Sequence, residues 1–318
     1  MISLIAFDFT RKTEKAIAAS EARRACGDGL YCWVDVEGED LNEARPLLAD
    51  LGFNGEAISE VLSLDDTSPH HVYPDCLRLS IHEAVFREGA LTTTPLSILL
   101  NAQSMVTLHR ENVQVIADLK RTYRDDFLKF SKSPSFLLYE VADHLIGEYR
   151  KALLRFSEAV EHVQLRLFGE ASDDIFESVA ALTRDILMFR KVLLASRELL
   201  HQLASRRSPY VSETTQPFLE TMAGTLERLG NDLATERDVL TEMLNLYMGM
   251  VSHHTGKVLR RLTMISIIFL PLTFLTGVYG MNLMIPETQW PPAYPIFWAV
   301  VIVIVSSLLV LMRRFRWL

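Results

Sequence analysis

The chain has 318 residues and a formal net charge of −8, which argues against a general nucleic-acid-binding protein, since such proteins present a basic face to phosphate. Charged residues are frequent up to Arg261. Between Leu262 and Met312, however, Glu287 is the single Asp, Glu, Lys or Arg. This boundary predicts a soluble part followed by a membrane element.

The first residues indicate that the soluble part is cytoplasmic. The opening segment, MISLIAFDF, lacks the basic region of a signal peptide and reaches Asp8 early. The three cysteines, Cys26, Cys32 and Cys76, lack C-x-x-C spacing and are odd in number. We interpret them as reduced thiols of a cytosolic compartment.

Residues 1 to about 110 have the pattern of a mixed α/β domain. Helical segments are expected near Leu41–Leu51 and Gly55–Leu62. The strand candidates are rich in β-branched and aromatic residues and are interrupted by Gly, Asp and Asn. They are ISLIAFDF, LYCWVDV, CLRLSIHEAVF and PLSILLNAQSMVTLHR.

From about Glu111 onward the apolar residues recur at three- and four-residue steps, which predicts two long amphipathic helices in a hairpin. A break at Gly169–Asp174 separates them. The first helix carries Val141, Leu145, Tyr149, Leu153, Phe156, Val160 and Val163, and the second carries Ile175, Val179, Leu182, Ile186, Phe189, Leu193, Leu199 and Leu203.

A third helical pattern starts near Pro217 and continues into the membrane element as a heptad seam, with Glu236 as its one polar member. Such a rod, about 90 Å long, cannot bury a seam alone, so we expect it to associate with copies of itself. The alternative is an intramolecular coiled coil with the hairpin helices. The seam residues are Met222, Leu226, Leu229, Leu233, Leu240, Met243, Tyr247 and Met250.

Two uncharged segments of 18 residues, Leu262–Tyr279 and Pro295–Met312, are just long enough to cross a bilayer. Buried core helices are the alternative, but Trp290, Tyr294 and Trp298 are placed like an interfacial belt. Basic residues precede the first span and follow the second, and the loop between the spans has no Lys or Arg. The positive-inside rule therefore puts both termini in the cytoplasm and the loop outside. The flanking residues are Lys257, Arg260, Arg261, Arg313, Arg314 and Arg316.

The segment LTMISIIFLPLTFLTGVYGMN, the IPE that follows it and the terminal RWL resemble the CorA superfamily of divalent metal cation channels and transporters. The Gly-Met-Asn stands behind F-L-P-L-T-F and before a second span, which makes the signal specific. The resemblance is dense over Ser252–Leu318 and looser at Phe189–Leu203 and Ser104–Glu111. It implies a homopentamer. The composition fits a bacterial inner membrane, and no enzymatic activity is expected, because nothing in the sequence resembles a nucleophile triad or a zinc-protease motif.

The fold class expected from the residues and this resemblance together is an α+β cytosolic domain followed by long helices and two C-terminal transmembrane helices, assembled as a pentameric funnel around a central pore. The expected division of the chain is residues 1–131 as the α/β domain, 132–210 as the helical hairpin, 211–261 as the stalk helix, 262–280 as the first, pore-lining span, 281–294 as the external loop, 295–312 as the second span and 313–318 as a basic cytosolic tail.

The resemblance implies a selectivity filter at Gly280, Met281 and Asn282, supported by Tyr279. Mg²⁺ dehydrates reluctantly, so a ring of neutral Asn282 amides suits an ion that keeps its water shell. Gly277 and Gly280 are expected to let the backbone turn and approach closely. The alternative for the triplet is a glycine C-cap with an adaptable methionine.

Steps of three to five residues inward from the filter predict the face that lines the pore. Pro271 removes a backbone donor within this span and is expected to bend it. Glu287 would concentrate cations at the entrance. An ordinary helix-packing face explains the same spacing. The predicted lining residues are Gly277, Thr273, Leu270, Ser266 and Leu262.

Several positions depart from the pattern of the family's magnesium channels. Asn245 stands where an acid is common at the cytosolic pore exit. Glu60 and Glu220 are the nearest candidates for regulatory metal ligands, although solvated helix acids are the simpler interpretation. His254 is a candidate zinc ligand if several chains bring it together.

The leading functional hypothesis is a channel for Mg²⁺, with Co²⁺ or Ni²⁺ also admitted, that moves hydrated ions down their electrochemical gradient without an organic cofactor. A Zn²⁺ transporter of the same superfamily, working in uptake or efflux and coupled or not to another ion, is the alternative. A third is a non-conducting membrane-anchored sensor. The segment TGKV lacks the upstream glycine of a nucleotide-binding P-loop and the hydroxyl residue that would follow Lys257.

Overall fold

A computed structural model describes residues 1–63, 68–87, 89–168, 174–205, 208–281, 286 and 290–315. The chain divides into two compact units, Met1–Thr241 and Glu242–Leu318. A single helix, α7, begins in the first unit and ends in the second. Its bounds are Gln216–Tyr279, and its 64 residues include Pro271 without a break.

The first unit contains the strands and the shorter helices of the chain. The strands are β1 (Ile2–Asp8), β2 (Thr13–Ala16), β3 (Tyr31–Glu37), β4 (His70–Val72), β5 (Leu77–Arg87), β6 (Ala90–Leu100) and β7 (Ser104–His109). The helices are α1 (Ala22–Gly27), α2 (Arg45–Asp50), α3 (Gly55–Ser63), α4 (Gln114–Phe130), α5 (Ser135–Phe168) and α6 (Asp174–Ser205).

The strands form a mixed sheet of seven, in the order β2-β1-β3-β7-β6-β5-β4. Only the β3–β7 pair among them is parallel, with Val34 opposite Val106. All other neighbours are antiparallel. A parallel pair requires a long crossover, and here the chain segment between β3 and β7 contains α2, α3 and three further strands.

Alternation along β3 distributes its side chains between two cores. Val34 and Val36 belong to the buried cluster that packs under α1, α2 and α3. Trp33 and Asp35 point to the opposite face, where the Trp33 ring meets Tyr123 of α4 at 5.9 Å between centroids. Both faces of the sheet are therefore covered by helices, as the period of two requires.

The sequence pattern merged β6 and β7 into one strand candidate, and the structure separates them into a hairpin. Asn101 causes the turn, because its Oδ1 accepts hydrogen bonds from the backbone N–H groups of Gln103 and Ser104, at 2.9 and 2.7 Å. An asparagine that bonds its own backbone two residues on is a typical turn residue. The flanking residues are apolar on both sides, so periodicity alone does not reveal the break.

The predicted helical hairpin is present as α5 and α6, and the first part of the α7 seam is buried within the same unit. Met222, Leu226 and Leu233 of this seam are buried. Glu236, the polar member, accepts a hydrogen bond from Ser157 of α5 at 2.5 Å. Over this part of α7 the structure thus supports the intramolecular alternative.

The second unit holds the end of α7 and a second long helix, α8 (Ala293–Arg314). Within the described residues these are the two helices that are long and apolar enough to cross a membrane, with mean hydropathies of 1.9 and 2.7 over their most apolar windows. The mixed α/β domain, the long helices and the two candidate spans confirm the coarse fold class. The pentamer remains a prediction.

Candidate functional site

The C-terminal part of α7 has one half-buried side and one open side. The half-buried residues recur at intervals of three and four, which places them on a single stripe. They are Met264, Ile267, Ile268, Pro271, Leu272 and Leu275. Helix α8 has a similar half-buried stripe, which continues to the buried Met312 and is formed by Ala293, Phe297, Val301, Ile304, Val305 and Leu308.

The C-terminal end of α7 and the N-terminal part of α8 meet through an aromatic contact. The rings of Tyr279 and Phe297 are 5.5 Å apart between centroids, at an interplanar angle of 71°. This edge-to-face geometry is favourable for aromatic pairs. Tyr279 remains 45% exposed, so α8 covers only part of it.

The residues predicted to line a pore occupy the open side of α7. All five are exposed. At 100° per residue they fall within an arc about 80° wide, whose centre is about 170° from the centre of the half-buried stripe. Within the described part of this chain, the predicted lining residues therefore do not form a helix-packing face, because the half-buried stripe of α7 lies on its opposite side. The five residues are Leu262, Ser266, Leu270, Thr273 and Gly277.

Ser266 shows how a hydroxyl on this side can serve a hydrated ion. Its Oγ donates a hydrogen bond to the Leu262 carbonyl oxygen at 3.0 Å. With the proton used inside the helix, the oxygen lone pairs remain as acceptors. The waters around a cation point their hydrogens outward, so an acceptor is the group that such a shell can use.

Helix α7 ends at Tyr279, and a tight turn follows. The Gly280 N–H donates to the Thr276 carbonyl oxygen at 2.9 Å, and the Met281 N–H donates to the Val278 carbonyl oxygen at 3.3 Å. A Cβ at Gly280 would lie 2.9 Å from the Thr276 oxygen, too close for any other residue without a shift of the backbone. Among the described residues, Gly277 has no such neighbour within 4 Å. Within this part of the chain, a close backbone approach is seen at Gly280 and not at Gly277.

Two predicted site residues, Asn282 and Glu287, fall outside the described residues. Met281, the residue before Asn282, is 50% exposed. Within the described part of the chain, no group of three or more His, Cys, Asp and Glu side chains is arranged to hold a metal ion.

A comparison with protein families decides the identity of this arrangement. The family described as CorA-like Mg²⁺ transporter protein matches residues 28–314, which span both compact units. The chain belongs to this family. It is accordingly a membrane protein and a CorA-family transporter of divalent cations.

The relatives of this CorA-family chain are named for different metals, cobalt and magnesium in one case and zinc in another. The cobalt/magnesium transport protein CorA of Methanocaldococcus jannaschii is 24% identical over 295 residues, which cover 92% of each chain. The zinc transport protein ZntB of Klebsiella pneumoniae is 26% identical over 174 residues, which cover 51% of this chain and 52% of that protein.

The fold is that of a solved CorA structure. The complete structure of the CorA magnesium transporter from Methanocaldococcus jannaschii matches with a TM-score of 0.84 at 21% identity. The match covers 100% of this chain and 99% of that chain. The α/β domain, the long helices and the two candidate spans thus have the CorA arrangement.

The acids proposed as regulatory ligands of this CorA-family chain already have partners. Glu60 accepts hydrogen bonds from the Tyr73 hydroxyl and from Nη1 of buried Arg78, the latter at 3.1 Å. Glu220 lies 3.2 Å from Nδ1 of His201. The contacts described for the two acids do not join them. A metal would have to displace a guanidinium or a hydroxyl at Glu60 and an imidazole at Glu220.

Asn245 and His254 are both exposed on α7. They are nine residues apart, so at 100° per residue they point to opposite sides of the helix. Only one of them can face a shared axis. Counted at 100° per residue along α7, Asn245 lies about 60° and His254 about 120° from the centre of the open side. Asn245 is therefore the better placed of the two.

Thr276 and Phe297 are the positions that sequence reasoning missed. Thr276 supplies the carbonyl that requires a glycine at 280, and its own Oγ1 donates to the carbonyl oxygens of Leu272 and Thr273 at 3.0 and 3.1 Å. The i, i+4 spacing of Thr276 and Gly280 was a usable signal. The partner of Tyr279 was not, because it depends on how α8 packs.

Proposed function

We propose that this CorA-family transporter is a homopentameric channel that admits hydrated Mg²⁺ to the cytoplasm, and Co²⁺ or Ni²⁺ as well. The observation that carries this proposal is the open side of α7. Five uncharged residues line it, from Leu262 to Gly277, and it leads to the glycine turn at Gly280. In a membrane, a surface of this kind would contact lipid, water or another copy of the chain, and the hydroxyls of Ser266 and Thr273 favour the last two. The name of the Methanocaldococcus jannaschii relative supports the choice of Mg²⁺ and Co²⁺.

In this proposal each part of the chain has one task. Asn282 and its neighbours Tyr279, Gly280 and Met281 form the filter at the outer mouth, and Glu287 draws cations toward it. Ser266 and Thr273 contact the water shell. Leu262 and Leu270 close the path by excluding water. The seven-part division of the chain, with residues 281–294 outside and both termini inside a bacterial inner membrane, belongs to the same proposal.

The driving force is electrical. One charge that crosses 100 mV gains about 2.3 kcal/mol, so a dication that moves inward gains about 4.6 kcal/mol. A neutral filter fits this mechanism, because the ion keeps its water shell and is held weakly enough to leave. Asn245, which is uncharged, would likewise release the ion at the cytosolic end.

The experiment is divalent cation flux into proteoliposomes. Asn282→Ala should abolish Mg²⁺ flux while the pentamer persists in native mass measurements. Asn231→Ala is the matched control, since Asn231 is an exposed asparagine of α7, far from the candidate spans in sequence. Undiminished Mg²⁺ flux in Asn282→Ala would refute the filter assignment, and a monomer in native mass measurements would refute the pentamer.

A Zn²⁺ transporter is the second candidate. Exposed His254, the asparagine at position 245 and the name of the Klebsiella pneumoniae relative favour it. The same liposomes, loaded with a Zn²⁺ indicator, distinguish the two. Zn²⁺ flux above Mg²⁺ flux that is lost in His254→Ala would support the second candidate and contradict the first. No flux of either ion under any gradient would leave the anchored sensor.

A further inference from the structure

Two buried thiols of the first unit lie in direct contact. Cys26 is in the last turn of α1 and Cys32 is the second residue of β3. Their Sγ atoms are 3.0 Å apart. A disulfide bond joins sulfurs at about 2.05 Å, so an approach of about 1 Å separates contact from bond. Cys76, the third cysteine, is also buried and free, and no contact with the other two is described.

The turn between the two cysteines fixes their approach. Gly29 has a φ of +85°, a conformation that suits glycine. Its N–H donates to the Cys26 carbonyl oxygen, and the Leu30 N–H donates to the Ala25 carbonyl oxygen, both at 3.1 Å. Helix α1 is thereby tied back against the start of β3. The two thiols are thus brought together by local backbone geometry, independently of the membrane unit.

Of the two thiols, Cys26 is the nearer to solvent. Gly27, Asp28 and Gly29, which follow it in the chain, are exposed, and Cys26 itself retains 5% exposure, whereas Cys32 has none. The hydrogen bond with Cys32 lowers the pKa of the Cys26 thiol, although burial opposes this. Thiolates are the reactive form of cysteine, so Cys26 is the expected nucleophile.

We propose that Cys26 and Cys32 form a reversible disulfide modification site, oxidised by a hydroperoxide. Cytosolic disulfides are mostly transient or redox-sensing, so the reduced pair is the resting state. This site is independent of the proposed channel function.

The reaction proceeds in two balanced steps. The Cys26 thiolate attacks a peroxide oxygen, the O–O bond breaks, hydroxide leaves, and Cys26 becomes a sulfenic acid. The Cys32 sulfur then attacks the Cys26 sulfur, so that the S–S bond forms and the S–O bond breaks. The two thiol protons convert the departing hydroxides to water. Two thiols have lost two electrons to hydrogen peroxide, which becomes two water molecules. A dithiol reductant reverses the change.

The test uses the full-length reduced protein in detergent, exposed to hydrogen peroxide and then unfolded with an alkylating reagent. Cleavage after Arg24 and Glu37 releases residues 25–37, which contain both cysteines. After oxidation this peptide should carry no alkyl group and weigh two hydrogen atoms less than the same peptide with two free thiols. Dithiothreitol should restore both thiols. We expect it to oxidise at least about tenfold faster than Cys76, the internal control, because Cys76 lacks a partner thiol.

Two variants separate the steps. In Cys32→Ser, Cys26 has no resolving partner, so a 1,3-dione reagent should trap its sulfenic acid. In Cys76→Ser, the peptide of residues 25–37 should oxidise as in the wild type. Oxidation of Cys26 and Cys32 no faster than that of Cys76, or a disulfide between two chains, would overturn the proposal. The wild-type measurement holds even if a variant folds poorly.

Discussion

The backbone carbonyl of Thr276 leaves no room for a side chain at Gly280. The carbonyl oxygen of Thr276 accepts the Gly280 N–H at 2.9 Å, and a Cβ at position 280 would lie at 2.9 Å from the same oxygen. The oxygen belongs to the backbone of α7, so it cannot rotate away as a flexible side chain would. Any residue other than glycine must therefore displace the end of the helix, on which the predicted filter is mounted.

Gly280→Ala should lower Mg²⁺ flux in proteoliposomes by at least about tenfold, because a filter has to hold its groups in position to within about an ångström. Gly224→Ala is the control, since a Cβ at that exposed position of α7 meets nothing within 4 Å. It should keep wild-type flux and add slight stability, as alanine does in a helix. Wild-type flux in Gly280→Ala would show that the turn does not position the filter.

Leu270→Ser should raise the resting flux of Mg²⁺ several-fold. Leu270 is 75% exposed on the open side of α7, and an apolar ring there would close the path by excluding water. A hydroxyl lets water remain and removes that barrier. Leu309→Ser, on an exposed position of α8, makes the same chemical change outside the predicted pore. Equal fluxes in the two variants would count against a gate at Leu270.

A buried charged cluster in the first unit makes stability depend on pH. The Asp35 carboxylate is 2% exposed and accepts hydrogen bonds from Thr107, from His109 Nε2 at 3.2 Å and from Lys120 Nζ at 2.6 Å. The other ring nitrogen of His109 donates to the Glu111 carbonyl oxygen at 2.6 Å. Burial disfavours the charged form of His109, but the Asp35 carboxylate outweighs it and raises the His109 pKa.

A raised histidine pKa gives stability that is complete below the unfolded value of 6.5 and is lost as the pH rises through the folded value. The thermal unfolding temperature of the full-length protein in detergent should therefore decrease as the pH is raised from 6.5 to the folded pKa of His109. This slope should be smaller in His109→Gln and unchanged in His162→Gln, which alters an exposed histidine of α5. An identical slope in His109→Gln would contradict the assignment.

Glu140 works in the opposite direction. It is 6% exposed, and burial together with the nearby carboxylates Asp126 and Asp143 raises its pKa to about 7. Nδ1 of His144 lies 4.0 Å from Oε2 of Glu140. Because the pKa of Glu140 is raised by folding, the folded protein loses stability as the pH rises from the unfolded value of 4.5 to the folded value of about 7.

Glu140→Gln should therefore stabilise the first unit above pH 7, by about 1–3 kcal/mol, and have little effect near pH 4. Chemical denaturation of the full-length protein at both pH values measures the difference. Glu161→Gln, at an exposed position of the same helix, should change stability at neither pH. A destabilised Glu140→Gln at pH 8 would mean that the ionised carboxylate has a favourable partner.

Patterns that extend over adjacent residues were predicted well. The strand segment at Tyr31–Glu37 and the helix at Gly55–Ser63 were expected within one residue at each end, because hydrophobic periodicity is a local property. The turn at Asn101 was missed, since an apolar pattern continues on both sides of it. The seam of α7 was found, but its partner was left open between a second copy and the helical hairpin, and burial of Leu226 and Leu233 within the chain favours the hairpin.

The sequence by itself determined the order of the parts, the two candidate spans and the family, because uncharged runs of 18 residues and the motif ending in Gly-Met-Asn are contiguous. Tertiary structure decided which side of α7 is open, why residue 280 must be glycine and that Cys26 touches Cys32. It also brought Asp35 to His109, 74 residues away in the chain. Such contacts depend on how strands pair and helices pack, and many sequences with the same periodicity could pair differently.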